Sequence, residues 1–503
     1  MGASPEQATV LVVGAGIMGT GIAQVAAQAG HPVLLFDAQA NAAAAARTRL
    51  QSTCDKLVAR GKFSSAEAAA MLVRITPIDD LDAAAAAGLV IEAVIEDIDV
   101  KRKLFQQLEN IVAPDCALAS NTSSLSITAI ANGLRHPERL VGMHFFNPVP
   151  IMKLVEVVSG LQTSSDVAAT IYQFAEAWGK HPVHAHSTPG FIVNRIARPF
   201  YAETLALLQE RAATPAMLDA CLRGAGFRMG PCELMDLIGH DTNFAVTRAV
   251  YEANFFDKRY APSLLQQQLV DGGLLGRKSG RGFYNYSDAE TPQALAEPPT
   301  TRPAASDNLV VHGDDPAARL IAASLEQQDY HFEQVFDSGW IGLQIADKRL
   351  QLTDGRCATE LAPQQGADCA LFDLPLNAGH PSVLAWSHAA QASAGWIAQA
   401  PEWLALLGFV PLQVADTPGL VVARTIAMLI NEAADAVHQG VCDVAAADAA
   451  MTLGVNYPAG PFEWLARWDS NMVIKLLDRL DAHYRGERYR VSPWLRQQAW
   501  AGA

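Results

Sequence analysis

Basic residues are scarce in this sequence. Lys and Arg number 37 against 52 Asp and Glu among 503 residues, which gives a net charge of −15. Nucleic-acid backbones are held by Lys/Arg-rich faces, so this balance argues against a nucleic-acid partner. A small anionic ligand remains compatible with it, because one local basic cluster is enough to bind such a ligand.

Cysteine is scarce as well, and long hydrophobic runs are missing. The seven cysteines are scattered, odd in number and form no C-x-x-C pair, which predicts reduced thiols rather than disulfides or a zinc site. The first apolar run, Val10–Val13, is far too short to span a bilayer, and no basic segment with an apolar core precedes it. We therefore expect a cytoplasmic protein with no membrane partner.

The chain is too long for a single hydrophobic core, and its first part alternates short apolar runs with alanine-rich segments. Strands that alternate with helices predict a parallel, doubly wound sheet. The segment from about 41 to 75 interrupts this alternation and predicts a helical hairpin. The predicted strands are Val10–Val13, Val33–Phe36, Leu89–Val94, Leu118–Ser120 and Leu140–Phe145.

The fold class that we expect is α/β, with an N-terminal Rossmann-type domain over residues 1–187. An all-α domain (188–288) and a Pro- and Ala-rich linker (289–307) follow it. The segment 308–414 predicts a degenerate α/β unit, because strand signals return there without a glycine-rich phosphate loop. Its candidate strands are Leu309–His312, Gln334–Phe336 and Cys369–Phe372, and a second all-α domain would occupy residues 415–503.

An internal repeat indicates that the helical domain has been duplicated. Thr188-Pro189-Gly190-Phe191-Ile192-Val193-Asn194-Arg195 returns as Thr417-Pro418-Gly419-Leu420-Val421-Val422-Ala423-Arg424, at an offset of 229. Gly230-Pro231-Cys232-Glu233 returns as Gly460-Pro461-Phe462-Glu463, at an offset of 230. Because Asn194 becomes Ala423, we expect the second copy to be non-catalytic and the chain to carry one active site.

A glycine-rich turn follows the first predicted strand and opens a helix. Two glycines of such a turn let the backbone approach a pyrophosphate, and the third allows close packing of helix on strand. Asp37 ends the next strand, 18 residues after Gly19. An acid there accepts hydrogen bonds from the adenine ribose, and no Arg follows it, so we predict NAD rather than NADP. The loop residues concerned are Gly14, Gly16, Ile17, Met18 and Gly19.

The densest group of polar motifs lies between residues 121 and 194. Glu156 stands among apolar residues in Lys153-Leu154-Val155-Glu156-Val157-Val158, where a carboxylate is costly without a partner. His144, 12 residues earlier, is a plausible partner. An imidazole held by a carboxylate gains basicity and a fixed tautomer, as a general base needs. Taken singly, His144 would be an ordinary packed or surface histidine and Glu156 a strand-edge acid.

Together these motifs resemble the 3-hydroxyacyl-CoA dehydrogenase family over residues 9 to 286. The long bacterial forms, which have a similar tail, include enzymes acting on 3-hydroxyadipyl-CoA in phenylacetate breakdown and others acting on 3-hydroxybutyryl-CoA. The motifs are Gly14-x-Gly16-x-x-Gly19, Asn121-Thr122-Ser123-Ser124, His144-Phe145-Phe146-Asn147-Pro148, Lys153-Leu154-Val155-Glu156, the segment 188–195 and Gly276-Arg277-Lys278-Ser279-Gly280-Arg281-Gly282-Phe283-Tyr284.

The resemblance implies NAD-dependent oxidation of (S)-3-hydroxyacyl-CoA, with His144 as the base that takes the hydroxyl proton. It implies that Glu156 orients the imidazole, that Ser123 binds the substrate oxygen beside the nicotinamide, and that Asn194 helps to hold the reacting oxygens. A homo-oligomer is implied too, namely a dimer formed through the helical domain. The further residues that match cofactor-contacting positions of the family are Glu96, Lys101, Asn147 and Lys278.

A basic cluster in the predicted hairpin suits the phosphates of coenzyme A, which the corresponding hairpin of the family contacts. Its candidate residues are Lys56, Arg60 and Lys62, with Arg47 and Arg49 nearby. The alternative is a solvated helix face, which is what most charge runs are. The cluster also separates the two nearest functions, since a dehydrogenase of free 3-hydroxy acids does not need it.

Other functions are less well supported by the sequence. His181, His184 and His186 lie together, but no Cys or carboxylate cluster accompanies them, so no metal site is expected. Ser123 and His144 lack the G-x-S-x-G turn of a hydrolase. A protein that binds NAD without catalysing a reaction would lack some of the residues Ser123, His144, Glu156 and Asn194, but all four are present. A fused hydratase is not expected, because only nine residues precede the first strand.

Overall fold

A computed structural model describes residues 8–287, 303, 308–376 and 382–502. The chain forms two compact units. The first runs to Arg195 and also contains Gln439–Val455, whereas the second comprises Ile196–His438 and Asn456–Ala503. Apart from Pro303, the predicted linker at 289–307 lies outside the described residues. The predicted boundaries near 187, 288 and 414 stay predictions.

The first unit contains the doubly wound sheet that the sequence predicts. Its eight strands lie in the order β3-β2-β1-β4-β5-β6-β7-β8, and every neighbouring pair is parallel except β6 and β7. Val-, Leu- and Ile-rich strands are typical of a sheet buried on both faces. The strands are β1 Val10–Val13, β2 Val33–Phe36, β3 Ile75–Ile78, β4 Leu89–Glu92, β5 Ala117–Ser120, β6 Leu140–Phe145, β7 Leu154–Ser159 and β8 His181–His186.

The predicted helical hairpin is present between β2 and β3. The second of its helices begins with a capping box, because Ser64 and Glu67 satisfy each other's backbone N–H groups. The segment Gln439–Val455 adds one further helix to this unit. Its helices are α1 Ile17–Gln28, α2 Ala42–Ala59, α3 Ser65–Val73, α4 Ile98–Ile111, α5 Ile127–Ile130, α6 Ser165–Ala177, α7 Val193–Ile196 (which ends at the first residue of the second unit) and α17 Val444–Gly454.

Two details of this sheet differ from the sequence-based expectation. The strand predicted as Leu89–Val94 ends at Glu92, because the Glu92 carboxylate accepts a hydrogen bond from Val94 N (2.7 Å) and turns the chain. Strand β3 was not predicted. It is short and lies at the edge of the sheet, so its burial pattern is weak.

The second unit contains a smaller, mixed sheet. The seven strands lie in the order β10-β9-β11-β12-β13-β14-β15, with β11 antiparallel to both of its neighbours. The predicted strands at 309–312 and 369–372 are present, and the one predicted at 334–336 spans Glu333–Val335. The strands are β9 Leu309–His312, β10 Glu333–Val335, β11 Gly342–Ile345, β12 Lys348–Leu352, β13 Cys369–Phe372, β14 Ser382–His388 and β15 Phe409–Gln413.

Helices from both copies of the repeat pack on each other within the second unit. Arg424 on α16 donates through Nε to Glu203 on α8 at 2.6 Å, and both side chains are fully buried. The helices are α8 Arg198–Gln209, α9 Pro215–Gly224, α10 Pro231–Ile238, α11 His240–Ala253, α12 Leu264–Asp271, α13 Pro316–Gln327, α14 Ala358–Gln365, α15 Ala394–Leu406, α16 Val422–His438, α18 Pro461–Trp468, α19 Ser470–Tyr484 and α20 Pro493–Ala501.

Among the described residues, no helix has the length and apolarity that crossing a membrane requires. The same part of the chain contains no group of three or more His, Cys, Asp or Glu side chains arranged to hold a metal ion. All seven cysteines are free thiols.

Candidate active site

The two residues singled out as a base and its partner face each other across neighbouring strands. The register of β6 and β7 pairs His144 with Glu156, and His144 Nδ1 lies 2.6 Å from Glu156 Oε2. The imidazole is 6% exposed and the carboxylate is 0% exposed. Because Nδ1 is engaged by the acid, the imidazole keeps Nε2 for any other partner.

The second carboxylate oxygen of Glu156 is held by the backbone. Glu156 Oε1 accepts hydrogen bonds from Ile192 N (3.1 Å) and Val193 N (2.9 Å). The preceding residue, Phe191, has a φ of +47°, a left-handed conformation that turns the chain at this point. The buried carboxylate is thereby satisfied on both oxygens, which makes it a fixed support for His144.

Aromatic rings surround the imidazole. The Phe146 ring centroid lies 4.5 Å from that of His144, and the Phe191 centroid lies 5.8 Å away. These apolar neighbours restrict the rotation of the imidazole and exclude water from its faces. The imidazole therefore keeps one orientation, with Nδ1 on Glu156 and Nε2 directed away from it.

The loop after β5 carries Ser123 and is organised by one carboxylate. Glu96 Oε1 accepts hydrogen bonds from Thr122 Oγ1 (2.6 Å), Ser123 N (2.9 Å) and Ser124 N (3.1 Å). Asn194 Nδ2 lies 3.5 Å from the carbonyl oxygen of Ser123. The first unit therefore brings together Ser123, His144, Glu156 and Asn194, although they are far apart in sequence.

Charged groups below this loop fix Glu96 in turn. Lys101 is 1% exposed, and its Nζ lies 2.5 Å from Glu92 Oε1 and 3.2 Å from Glu96 Oε2. Burial opposes ionisation of Glu96, but Lys101 and the hydrogen bonds from Thr122 and the two serines outweigh it, so the pKa of Glu96 is lowered. The ammonium of Lys101 is thus paired with the carboxylates of Glu92 and Glu96.

Glu92 is a site-supporting residue that the sequence interpretation missed. Its carboxylate is 0% exposed and binds Lys101, Ser120 Oγ (2.6 Å) and Val94 N (2.7 Å). The available signal was an acid at the end of an otherwise apolar strand, the same signal that picked out Glu156. Its partners could not be identified because they come from different elements.

The glycine-rich loop has the geometry of a phosphate cradle. Gly14 has a φ of +106°, and a Cβ there would lie 2.4 Å from the carbonyl oxygen of Ala93. A Cβ on Gly19 would lie 1.8 Å from the carbonyl oxygen of Gly14. At Gly16, by contrast, a Cβ would meet no atom within 4 Å, and no side chain caps the N-terminus of α1. The free N–H groups of this helix therefore face open space that a pyrophosphate could fill.

Asp37 lies beside this loop. Its carboxylate accepts hydrogen bonds from Ala15 N (2.7 Å) and Gln39 N (2.9 Å). The helix-terminal residues behind the loop differ in exposure, since Ile17 is 79% exposed and Met18 packs against the core. The exposed Ile17 side chain beside the phosphate cradle and Asp37 at the end of β2 together suit the binding of an adenine dinucleotide.

The remaining predicted contacts fall in different places. Lys56 and Arg60, one helical turn apart, and Lys62 are all exposed at the end of α2 and in the following turn. Asn147 is exposed beyond β6. Lys278 belongs to the second unit, where its ammonium forms an ion pair with Asp241.

The three histidines of β8 do not converge. Side chains alternate along a strand, so His181 points to the opposite face from His184 and His186. His184 stacks on Tyr172, with ring centroids 4.7 Å apart.

A segment from the second copy of the repeat supports the site. Val441 O accepts a hydrogen bond from His186 N (2.8 Å), and Gln439 Oε1 accepts one from Arg195 Nη1 (2.9 Å). A Cβ on Gly454 would lie 2.6 Å from Leu154 Cδ2, on the strand that carries Glu156. Helix α17 therefore packs directly on β8 and on β7, the strand that carries Glu156.

Models of one protein family match most of the chain. The model described as "3-hydroxyacyl-CoA dehydrogenase, NAD binding domain" matches residues 9–188, and that of the same family's C-terminal domain matches 190–286 and again 419–503. A "3-hydroxybutyryl-CoA dehydrogenase reduced Rossmann-fold domain" model matches 350–418. The second match of the C-terminal domain coincides with the internal repeat.

The names of similar proteins agree with these matches. The chain is 44% identical to the 3-hydroxyadipyl-CoA dehydrogenase of Escherichia coli (strain K12) over 492 residues. This aligned region covers 98% of this chain and 97% of the relative. A probable 3-hydroxybutyryl-CoA dehydrogenase of Deinococcus radiodurans is 42% identical over 276 residues, 55% of this chain and 99% of the relative. A crystal structure described as 3-hydroxybutyryl-CoA dehydrogenase from Escherichia coli K12 has a TM-score of 0.88 and 42% identity, covering 98% of both chains.

Proposed function

The chain belongs to the 3-hydroxyacyl-CoA dehydrogenase family, an NAD-dependent oxidoreductase family, and from this premise we propose that it oxidises the 3-hydroxyl group with His144 and Glu156 as base and support. The observation that carries the proposal is the 2.6 Å hydrogen bond between these two buried side chains. Bound NAD⁺ supplies a hydride acceptor in this chemistry.

The proton balance assigns a step to each residue. As C3 of the substrate loses hydride, the 3-hydroxyl proton passes to Nε2 of His144 and a carbonyl forms. Glu156 stabilises the resulting imidazolium, and the hydrogen bonds that it accepts from Ile192 N and Val193 N hold its carboxylate in place. Ser123 and Asn194, which lie beside each other in the first unit, would bind the reacting oxygen and hold C3 in place.

Replacement of the base tests this proposal. His144→Gln should lower kcat by about 10²–10⁴-fold, the usual contribution of a general base, while leaving the dissociation constant of NADH unchanged. Circular dichroism and NADH titration would verify that the variant is folded. Undiminished oxidation of 3-hydroxyacyl-CoA by that variant would overturn the assignment of the base.

The cofactor contacts that we propose are the glycine loop (Gly14, Gly16, Ile17, Met18 and Gly19), Asp37, Ser123, Asn147 and Lys278. Glu96 and Lys101 would act together, since Lys101 is buried against Glu96 and Glu96 shapes the Ser123 loop. Both residues are included among the proposed cofactor contacts, as the family resemblance implies.

We propose that Lys56, Arg60 and Lys62 bind the phosphates of coenzyme A. These cations are exposed on the end of one helical hairpin, in a protein whose net charge is −15. A Lys56→Glu/Arg60→Glu variant should raise KM for acetoacetyl-CoA at least about tenfold, because each phosphate contact is charge-assisted. KM for the acetoacetyl thioester of N-acetylcysteamine, which lacks phosphates, should not change. Lys103→Glu, on an exposed position of α4, is the matched control, and an equal effect on both thioesters would contradict the proposal.

For the acyl group, we propose 3-hydroxyadipyl-CoA, as in phenylacetate catabolism, with 3-hydroxybutyryl-CoA as the alternative. The support is the 44% identity over 98% of the chain to a 3-hydroxyadipyl-CoA dehydrogenase. The alternative is supported by the Escherichia coli structure named for the butyryl substrate, which is 42% identical and also covers 98% of the chain. The ratio of kcat/KM for the two thioesters decides between them, and a ratio favouring the butyryl ester would reverse our choice. Turnover of free 3-hydroxybutyrate would instead support the less favoured hydroxy-acid dehydrogenase.

We further propose that the enzyme forms a homo-oligomer in the cytoplasm. The compartment rests on seven unpaired cysteines, which suit a reducing environment. The oligomer rests on the family resemblance, and sedimentation equilibrium of the full chain measures it directly.

A further inference from the structure

Strand pairing in the first sheet stops just short of the candidate base. β5 and β6 pair in parallel as far as Ser120 and Gly142, after which β5 ends and the chain enters the loop that carries Ser123. β6 continues through His144 to Phe145. On the side of β5, the last part of β6 therefore runs beside a loop rather than beside a strand.

A side chain takes over from the backbone at this place. Asn121, the first residue after β5, accepts a hydrogen bond through Oδ1 from Phe145 N at 2.8 Å. Phe145 is 2% exposed, and a buried backbone N–H without an acceptor is destabilising. The Asn121 amide thus supplies the acceptor that a neighbouring strand supplies elsewhere in the sheet.

The backbone of Asn121 is itself held in place. Asn121 N donates to Glu92 O at 2.8 Å, and the hydroxyl of the preceding residue, Ser120, donates to the Glu92 carboxylate at 2.6 Å. Both bonds lead to the last residue of β4, whose side chain is fully buried. Because its backbone is fixed in this way, Asn121 holds the end of β6 against the ends of β4 and β5.

From these contacts we propose that Asn121 is a positioning residue for the oxidation, because it fixes His144 relative to Ser123. Its hydrogen-bond partner directly follows His144, and Asn121 itself stands two residues before Ser123. Glu96 organises the Ser123 loop, whereas Asn121 sets where that loop lies relative to the base. A displacement of about 1 Å near reacting groups can lower a rate about 100-fold. The inference rests on the roles proposed above for the base and the serine.

Two replacements of Asn121 test the importance of the acceptor. Asn121→Leu has a similar shape but no acceptor oxygen, so its kcat should fall at least about tenfold, with a smaller change in KM and an unchanged dissociation constant of NADH. Asn121→Asp keeps an acceptor at the same place and should retain kcat within about threefold of wild type. Each kcat is measured with whichever of 3-hydroxyadipyl-CoA and 3-hydroxybutyryl-CoA the wild type oxidises faster. Asn121→Ala, which also lacks the acceptor, replaces the leucine variant if that variant does not fold.

A double substitution shows whether Asn121 acts through the base. In the His144→Gln background, Asn121→Leu should lower kcat by less than about threefold, because residues that act as a unit lose their effect together. An equal loss in both backgrounds would overturn the proposal, since the effect of Asn121 would then not depend on His144.

Thr128→Val is the matched control. Thr128 Oγ1 likewise accepts a hydrogen bond from a backbone N–H of the first unit, that of Leu161 (2.9 Å), but Thr128 is not among the residues of the candidate site. Its kcat should equal that of wild type, and circular dichroism verifies the fold of each variant. Wild-type kcat in folded Asn121→Leu would overturn this inference while the proposed function stands. A wild type that oxidises neither thioester would overturn the proposed function, and this inference with it.

Discussion

Asp373 holds in the second sheet the position that His144 holds in the first. His144 is paired with Glu156 across an antiparallel strand pair, and Asp373 N donates to Ala385 O across the corresponding pair, β13 and β14. The repeat offset of 229 residues also maps the pairing of β7 with β8 onto the pairing of β14 with β15. Ala385 therefore stands where Glu156 stands, and the second sheet has neither the imidazole nor its carboxylate support.

The carboxylate of Asp373 has a structural use instead. It accepts hydrogen bonds from Val421 N (2.9 Å), Val422 N (2.7 Å) and Ala423 N (2.8 Å). Glu156 holds the equivalent turn through Ile192 N and Val193 N. Both copies thus anchor the turn before a helix with a buried acid, but only the first adds a histidine. This difference supports the expectation of one active site per chain.

The Glu156→Gln variant should show that His144 needs the negative charge of Glu156 and not only its hydrogen bonding. Glutamine keeps an acceptor for the two N–H groups but loses the charge that stabilises an imidazolium, so we expect kcat to fall by about 10²–10⁴-fold. The dissociation constant of NADH should stay unchanged. Glu156→Asp, which keeps the charge on a shorter side chain, should retain more activity than the glutamine variant. Equal kcat values for wild type and Glu156→Gln would contradict this role.

Two glycines of one loop should respond differently to the same substitution. Gly14→Ala forces a Cβ into Ala93 O at positive φ and should destabilise the fold by about 1–3 kcal/mol. Gly16→Ala meets no atom of the chain, so its melting temperature should match wild type. Its new methyl group would occupy the space that we assign to the pyrophosphate, raising the NADH dissociation constant at least about tenfold. Unchanged NADH affinity in Gly16→Ala would argue against that placement of the cofactor.

Glu96 should make the stability of the cofactor-free protein depend on acid pH. The pKa of Glu96 is lowered in the folded state. At pH values between this lowered pKa and the ordinary carboxyl pKa, the unfolded chain therefore binds more protons than the folded chain. The stabilisation is complete above that value and is lost as the pH falls through the folded pKa. Urea unfolding of Glu96→Gln between about pH 3 and about pH 7 should show a shallower loss toward acid than wild type. Glu333→Gln, on the exposed strand β10, should behave as wild type; identical acid profiles for all three proteins would contradict the prediction.

The buried ion pair between the repeats should matter far more than a surface pair. Arg424→Met removes one of the two guanidinium groups that hold the buried Glu203 carboxylate, and Arg488 remains as the other, so we expect a loss of about 1–3 kcal/mol in the free energy of unfolding. Arg248→Met is the control, because Arg248 and Glu252 are about half exposed and such pairs contribute less than about 1 kcal/mol. Denaturant titrations measure both. Similar losses in the two variants would show that burial does not decide the strength of this pair.

Sequence patterns alone determined the first sheet apart from its edge strand β3, the dinucleotide loop, the duplication and the pairing of His144 with Glu156. Such features are local: a strand run into a glycine turn, a repeated motif, or one acid among apolar residues with one histidine nearby. Each can be interpreted without knowing which distant segments meet. The family matches confirm the fold class and the cofactor at this level.

Only the tertiary structure decided which distant groups satisfy one another. The Lys101 ammonium forms ion pairs with Glu92 and Glu96 beneath the Ser123 loop. The segment Gln439–Val455 belongs to the unit that carries His144. The mixed second sheet also went unpredicted in part, since β11, β12, β14 and β15 carry weaker patterns than the central strands of the first. A buried polar group must find a partner, but its sequence neighbours do not reveal which one, because partners are chosen by packing in space.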